Sequence, residues 1–221
     1  MSIAERYAQL RAAVPPHVTI VAVTKFQPVE AIAQAVAAGV TDIGENYLQE
    51  AQRKVSALPE VLKHFIGHVQ TNKAKAIAAT FDMVQSVDRQ DAAQALAKAA
   101  DALGKRLAVL LQLNVSPAER FGCPPEDAAR LAETIRSYPS LDLQGIMAIG
   151  PITPERGELA RAFETAAATF ARVGGTTLSL GMSGDWPAAV AAGSTMIRVG
   201  STIFGPRPAR PASKNPIMSS P

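Results

Sequence analysis

Short runs of β-branched and aliphatic residues alternate with longer alanine-rich stretches along most of the chain. The short runs predict strands over Thr19–Thr24, Asp42–Gly44, His64–Gly67, Met83–Ser86, Ala108–Asn114, Gly145–Ala148, Thr177–Gly181 and Met196–Val199. The stretches between them carry helical periodicity: Pro28–Ala38, Tyr47–Ala57, Asn72–Ala79, Arg89–Leu103, Pro125–Ser137, Leu159–Arg172 and Trp186–Ala192. One more amphipathic helix, Ile3–Ala13, precedes the first strand. Asn46, Thr71, Asp88 and Asp185 stand where helix caps are wanted. Proline opens a helix at Pro28, and Gly39, Gly104, Gly174 and Gly193 follow helix ends.

Eight βα units predict a single (β/α)8 TIM barrel with an additional N-terminal helix. A barrel of this kind takes about 250 residues. The 221 residues here make a compact one, over 1–206, followed by a Pro- and Ser-rich tail over 207–221. The alternative is an open doubly wound sheet, which usually carries a glycine-rich phosphate loop after its first strand. Lys25-Phe26-Gln27-Pro28 has no glycine.

Composition narrows the function classes. Apolar residues are 48% of the chain, enough for a large core. The net charge of +3 and the lack of a Lys/Arg-rich block argue against nucleic acid. No apolar run approaches the roughly 18 residues of a membrane span. The single cysteine, Cys123, excludes an intrachain disulfide and a multi-cysteine metal site. The first residues are charged and do not read as a signal peptide, so a cytoplasmic location is expected.

The chemistry of a barrel sits at the C-terminal ends of its strands. Lys25 ends the first strand, where a partly desolvated amine can lose its proton and attack a carbonyl. Glu45 and Asn46 follow the second strand, and Ser116, Glu119 and Arg120 follow the fifth. After the last two strands come Met182-Ser183-Gly184 and Gly200-Ser201-Thr202, each opening a helix with exposed N–H groups and hydroxyls. Helix starts of this kind bind phosphate. Each segment alone reads as well as a plain cap or turn. Together, facing a lysine, they suggest a pyridoxal phosphate (PLP) pocket. Arg198, two residues before Gly200, lies on the same side of its strand. It either reaches the pyridine nitrogen or pairs with Asp42 or Glu45 across the barrel.

Several blocks carry a resemblance. They are Val21-Ala22-Val23-Thr24-Lys25, Gly44-Glu45-Asn46-Tyr47-Leu48-Gln49-Glu50, His64 through Lys73, Gly145 through Ile149, Leu178 through Ser183, and Gly193 through Gly205. In this order, they resemble the pyridoxal phosphate homeostasis protein family. The resemblance implies a barrel like the N-terminal domain of alanine racemase, with PLP held as a Schiff base on Lys25. It implies a phosphate site at Met182, Ser183, Gly200 and Ser201, with Ser179 as a further contact. Arg198 would face the pyridine nitrogen, and Asn46 would lie near the ring. It also implies a carrier of PLP, serving PLP-requiring apo-enzymes, rather than a catalyst.

The chain departs from the family pattern where Gln27 and Arg120 replace lysines and where the tail replaces the usual chain end. A racemase is the alternative function. It would need a second acid/base on the opposite cofactor face, and among the tyrosines only Tyr47 lies near the rim. Tyr47 reads as packing, and the expected assembly is a monomer.

Overall fold

A computed structural model describes residues 1–55, 61–116, 121–151 and 155–206. Eight parallel strands close a barrel in sequence order: β1 (Thr19–Val23), β2 (Asp42–Glu45), β3 (Leu62–Phe65), β4 (Met83–Val87), β5 (Leu107–Leu113), β6 (Leu141–Ala148), β7 (Thr177–Ser179) and β8 (Met196–Val199). The ring closes through β1 and β8, with Thr19 opposite Met196 and Val21 opposite Arg198. The helices are α1 (Ile3–Ala13), α2 (Val29–Ala37), α3 (Leu48–Val55), α4 (Ala74–Thr80), α5 (Gln90–Ala102), α6 (Ala128–Arg136), α7 (Arg156–Val173), α8 (Trp186–Ala191) and α9 (Ser201–Phe204). The expected barrel with its N-terminal helix is therefore present, and the doubly wound alternative is not. The proposed tail, 207–221, lies outside the described residues.

Strand alternation divides the core in two. Ile20, Ala22, Ile43, Ile197 and Val199 point outward onto helices, in the same cluster as Tyr7, Leu10 and Ile32. A larger cluster lies between the remaining strands and helices, around Leu96, Leu111, Ile135 and Phe163. Inside the barrel, Val21, Met83, Leu110, Met147 and Met196 form a smaller group. Alanine explains the close helix–sheet contact: Ala35, Ala78, Ala92, Ala93, Ala132 and Ala166 are all fully buried.

The element limits differ from the sequence expectation at informative places. β6 begins at Leu141, four residues before the expected Gly145. The cause is a bulge, because Val109 pairs with Leu143 but Leu110 with Gly145. Gly145 adopts φ +148°, and a Cβ there would lie 2.0 Å from the Thr177 carbonyl oxygen. The glycine that looked like a strand start is the kink within a longer strand. α6 starts at Ala128 because a turn from Pro124 to Asp127 comes first. The strand expected at His64–Gly67 ends at Phe65, and the end of the expected Tyr47–Ala57 helix falls outside the described residues.

The expected caps fare unevenly. Thr71 lies inside a 3-10 turn, with Gln70 at its cap position. Arg89, not Asp88, stands at the cap of α5. Asp185 caps no N–H within α8 and accepts instead from the Met182 N–H. The described side-chain cap that does form is a capping box at Ser2 and Glu5. Gly39, Gly104, Gly174 and Gly193 all have positive φ, as their positions after helix ends require.

Gly145→Ala should destabilise the protein by about 3 kcal/mol, from positive φ plus backbone overlap. Urea unfolding followed by circular dichroism measures it.

Candidate functional site

Lys25 is carried to the barrel mouth by a tight turn. Gln27 N–H donates to the Thr24 carbonyl at 3.0 Å, and Phe26 takes φ +64° at the third turn position. Type II turns need positive φ there and normally use glycine. A phenylalanine persists in that conformation only when its surroundings hold it.

They do so through Lys54, on the last turn of α3. Its ammonium donates to the Thr24 carbonyl at 2.8 Å, to Glu45 Oε1 at 2.9 Å and to Glu50 Oε1 at 2.7 Å. All three ammonium hydrogens are used. Glu50 accepts from the Phe26 N–H, and Thr24 Oγ1 donates to Glu45 Oε1 at 2.7 Å. The residues on both sides of Lys25 are thereby tied to one buried ion cluster. Burial pushes the Glu45 carboxyl above its ordinary value, against the opposing pull of Thr24 and Lys54, and its Oε2 has no hydrogen-bond partner.

Lys25 lines a cavity of about 260 Å³ together with Asn46, Met182, Ser183, Arg198, Gly200 and Ser201. Seven of the eight residues expected to contact the cofactor thus meet in one place. Asn46 Oδ1 is buried there without a partner, so Asn46 does not act as a helix cap. Its backbone is packed against Gly67, where a Cβ would lie 2.0 Å from the Asn46 carbonyl oxygen. On the far side, the Ser183 hydroxyl accepts from the N–H groups of Gly200 at 3.1 Å and Thr202 at 3.4 Å. The two phosphate-type loops are joined through that hydroxyl.

Arg198 is 4% exposed and held from behind. Nη1 donates to the Ser179 carbonyl at 2.8 Å and to Ser179 Oγ at 2.6 Å, and Nη2 donates to the Ala148 carbonyl at 2.8 Å. Among the described residues, no carboxylate pairs with it. Asp42 bonds His64, and Glu45 bonds Lys54, so the ion pair entertained across the barrel does not form. Desolvation lowers the guanidinium to about 10, with Asp185 acting in the opposite sense.

Ser179 departs from expectation. It is fully buried behind Arg198 and does not line the cavity. It points inward, but one layer below the mouth. Tyr47 is half exposed and packs on Phe26, with ring centroids 5.5 Å apart. Glu119 and Arg120 lie outside the described residues. Sequence reading missed the walls Val23, Ile66, Met147 and Ile149, and also Gly205. Inward alternation from Lys25 would have found Val23. It also missed the Lys54 cluster, whose one visible signal was the Glu50/Lys54 spacing of four. Cys123 is buried away from this cavity, its thiol pushed up to about 11 mainly by desolvation. Among the described residues, no group of His, Cys, Asp and Glu forms a metal site, and no helix is long and apolar enough to cross a membrane.

A closed barrel with a lysine at the end of its first strand, facing two loops rich in N–H and hydroxyl donors, is the architecture of the alanine racemase N-terminal domain, and that family matches residues 1–208. Structures of alanine racemase share the fold. The Clostridium difficile enzyme superposes with a TM-score of 0.79 at 15% identity, covering 94% of this chain and 57% of that one. Within this class the chain belongs to the pyridoxal phosphate homeostasis protein family. It is 43% identical over 198 residues to the Pseudomonas aeruginosa protein of that name, across 87% of this chain and 86% of the relative. It is 40% identical over 207 residues to the Escherichia coli K12 protein, across 87% of both. PipY from Synechococcus elongatus, solved with PLP bound, superposes with a TM-score of 0.87 at 36% identity, covering 92% of this chain and all of that one.

Lys54→Ala should cost about 3–5 kcal/mol, because it leaves Glu45 buried without its counter-charge. Chemical denaturation compares it with the wild type, and a loss below about 1 kcal/mol would show that the cluster is dispensable.

Proposed function

We propose that this protein binds PLP in the cavity between Lys25 and the loops after β7 and β8, and holds it for exchange within the cell's PLP pool. One observation carries the reading: Lys25, Arg198 and two donor-rich loops line a single cavity. Family membership and the PLP-bound PipY structure support it.

The residues present fit the group. The cavity has an amine on one wall and hydroxyl and N–H donors on the other. Asn46 Oδ1 is a buried acceptor without a protein partner. In this reading Lys25 takes the aldehyde as a Schiff base. Ser183, Ser201 and the backbone at Met182 and Gly200 take the phosphate, and Asn46 borders the ring. Arg198 faces the pyridine nitrogen.

When bound, PLP supplies an electrophilic aldehyde and an electron-withdrawing ring. Enzymes that exploit the ring as an electron sink usually set a carboxylate against its nitrogen. A guanidinium only donates hydrogen bonds and keeps its proton. It therefore leaves that nitrogen unprotonated and the ring a poorer electron sink, which favours holding the cofactor over carbanion chemistry. The relatives' names agree, being those of homeostasis proteins.

The finer parts of the proposal are delivery to PLP-requiring apo-enzymes, a monomeric state and a cytoplasmic location. A single free thiol suits a reducing compartment. The large exposed apolar side chains among the described residues are few, chiefly Met1, Phe26, Tyr47, Leu62 and Phe121. Light scattering should find one chain per particle. The barrel over 1–206 with a separate tail over 207–221 belongs to the same proposal, and truncation after Pro206 should leave PLP binding intact.

Borohydride reduction of the PLP-loaded protein, followed by peptide mass mapping, should place the pyridoxyl adduct on Lys25, and Lys25→Ala should lose it. An adduct elsewhere sinks the assignment. Ser183→Ala and Ser201→Ala should each weaken PLP binding about tenfold, the usual value of one hydrogen bond to a charged group. Incubation with single amino acids in deuterated water should show no exchange at the α-carbon. Exchange at ordinary enzymatic rates would favour a racemase instead.

A further inference from the structure

Behind the cavity, the barrel interior holds polar side chains that do not themselves line it. Ser179 Oγ lies 2.8 Å from Gln85 Oε1, Gln85 Nε2 lies 3.0 Å from His64 Nδ1, and His64 Nε2 lies 2.8 Å from Asp42 Oδ1. The other Asp42 oxygen accepts from Thr41 Oγ1 at 2.7 Å. With Arg198 on Ser179, the series crosses β8, β7, β4, β3 and β2, and every member is buried. Arg198 lines the cavity at the C-terminal ends of the strands. Asp42 lines a separate one with Thr41, Leu62 and Lys63, where β2 and β3 begin.

The direction of this series follows from the arginine. A guanidinium has no acceptor, so Ser179 Oγ must accept from it. The single hydroxyl hydrogen of Ser179 then goes to Gln85, which fixes Oε1 on that side. The Gln85 amide therefore turns Nε2 towards His64, and also towards Met196 Sδ at 3.2 Å. His64 Nδ1 must accept, so its proton sits on Nε2 and is given to Asp42. Every bond points the same way, from the cation to the carboxylate. Reversing any member sets a donor against a donor or leaves a buried hydroxyl without an acceptor.

We propose that Asp42, His64, Gln85 and Ser179 are positioning residues for Arg198, forming a one-way hydrogen-bond chain that fixes the guanidinium at the cavity and joins its charge to the Asp42 carboxylate. A buried cation without an adjacent counter-ion is costly. Aligned dipoles ending on a carboxylate offset that cost and polarise one another. None of the four lines the PLP cavity, so any effect they have on PLP acts through Arg198. The inference rests on the PLP reading for its ligand probe, but its geometry does not.

Two measurements test it. The first uses the apo wild type: nitrogen-15 NMR of histidine-labelled protein should show His64 protonated on Nε2, with Nδ1 as an acceptor. A proton on Nδ1 overturns the chain, whatever the protein binds. The second titrates PLP into full-length Asp42→Asn, Gln85→Leu and Ser179→Ala, with thermal melts to confirm folding. Each should raise the PLP dissociation constant at least about threefold and shift the absorption band of the bound cofactor. Asp42→Asn added to Gln85→Leu should cost nothing more, since the chain is already cut, and Ser179→Thr should restore what Ser179→Ala loses. Folded variants with wild-type affinity and spectrum overturn the proposal. If the variants do not fold, the His64 proton alone decides it. If the wild type binds no PLP, the ligand reading fails separately while the NMR result still judges the chain.

Discussion

A small barrel buries the Arg198 guanidinium in an interior whose apolar part is Val21, Met83, Leu110, Met147 and Met196. Moving an unpaired cation out of water is costly, and direct pairing with a carboxylate would turn the guanidinium away from the cavity. The fold resolves this by satisfying Arg198 from behind. Two strand-end carbonyls and one hydroxyl take its donors, and the hydroxyl passes the polarisation to residues deeper in the barrel. The inward positions of β2, β3, β4 and β7 therefore carry Asp42, His64, Gln85 and Ser179 instead of aliphatic side chains. Their polarity follows from one residue's position.

The opposite wall meets a different problem. Lys25 sits just before a strained residue, Phe26, and the chain there would relax if left alone. The Lys54 ammonium and the Glu50 carboxylate hold the backbone on either side of it. Both walls are thus anchored through strand ends, whereas the two phosphate-type loops are joined to each other through the Ser183 hydroxyl. On the PLP reading, an incoming phosphate competes for the same N–H groups. Only weak neutral hydrogen bonds need to be exchanged, while the lysine and arginine stay in place. Such a division suits a site that loads and unloads.

The barrel was legible because eight strands each end in a helix signal, and the site was legible because strand ends in a barrel converge. Lys25, Asn46 and the Ser183 and Ser201 loops could be placed by counting strands, with no knowledge of contacts. Ser179 could not. Alternation puts it on the inward face with Gly181, but strand tilt decides whether an inward residue reaches the mouth or the layer beneath. Gly145 misled for a related reason: a glycine in a strand pattern reads as an end, and only pairing with β5 reveals a bulge. The buried polar pairs were hidden because Asp42, Glu45, His64 and Lys54 look like ordinary polar residues on a strand or helix. Which carboxylate meets which base depends on the closed geometry.

The shared barrel also bears on why a racemase-like fold need not racemise. At 15% identity, the likeness to the alanine racemase structure shows the fold alone. Racemisation at a PLP-bound α-carbon needs an acid/base group on each face and a dry pocket. Among the described residues, the tyrosine nearest the mouth is Tyr47, and it stands half exposed beside Phe26, outside the cavity lining. The barrel supplies the lysine, the donor loops and a guanidinium fixed from within. On the PLP reading those parts take up an aldehyde and a phosphate, and among the described residues that line the cavity none is a second acid for the opposite face.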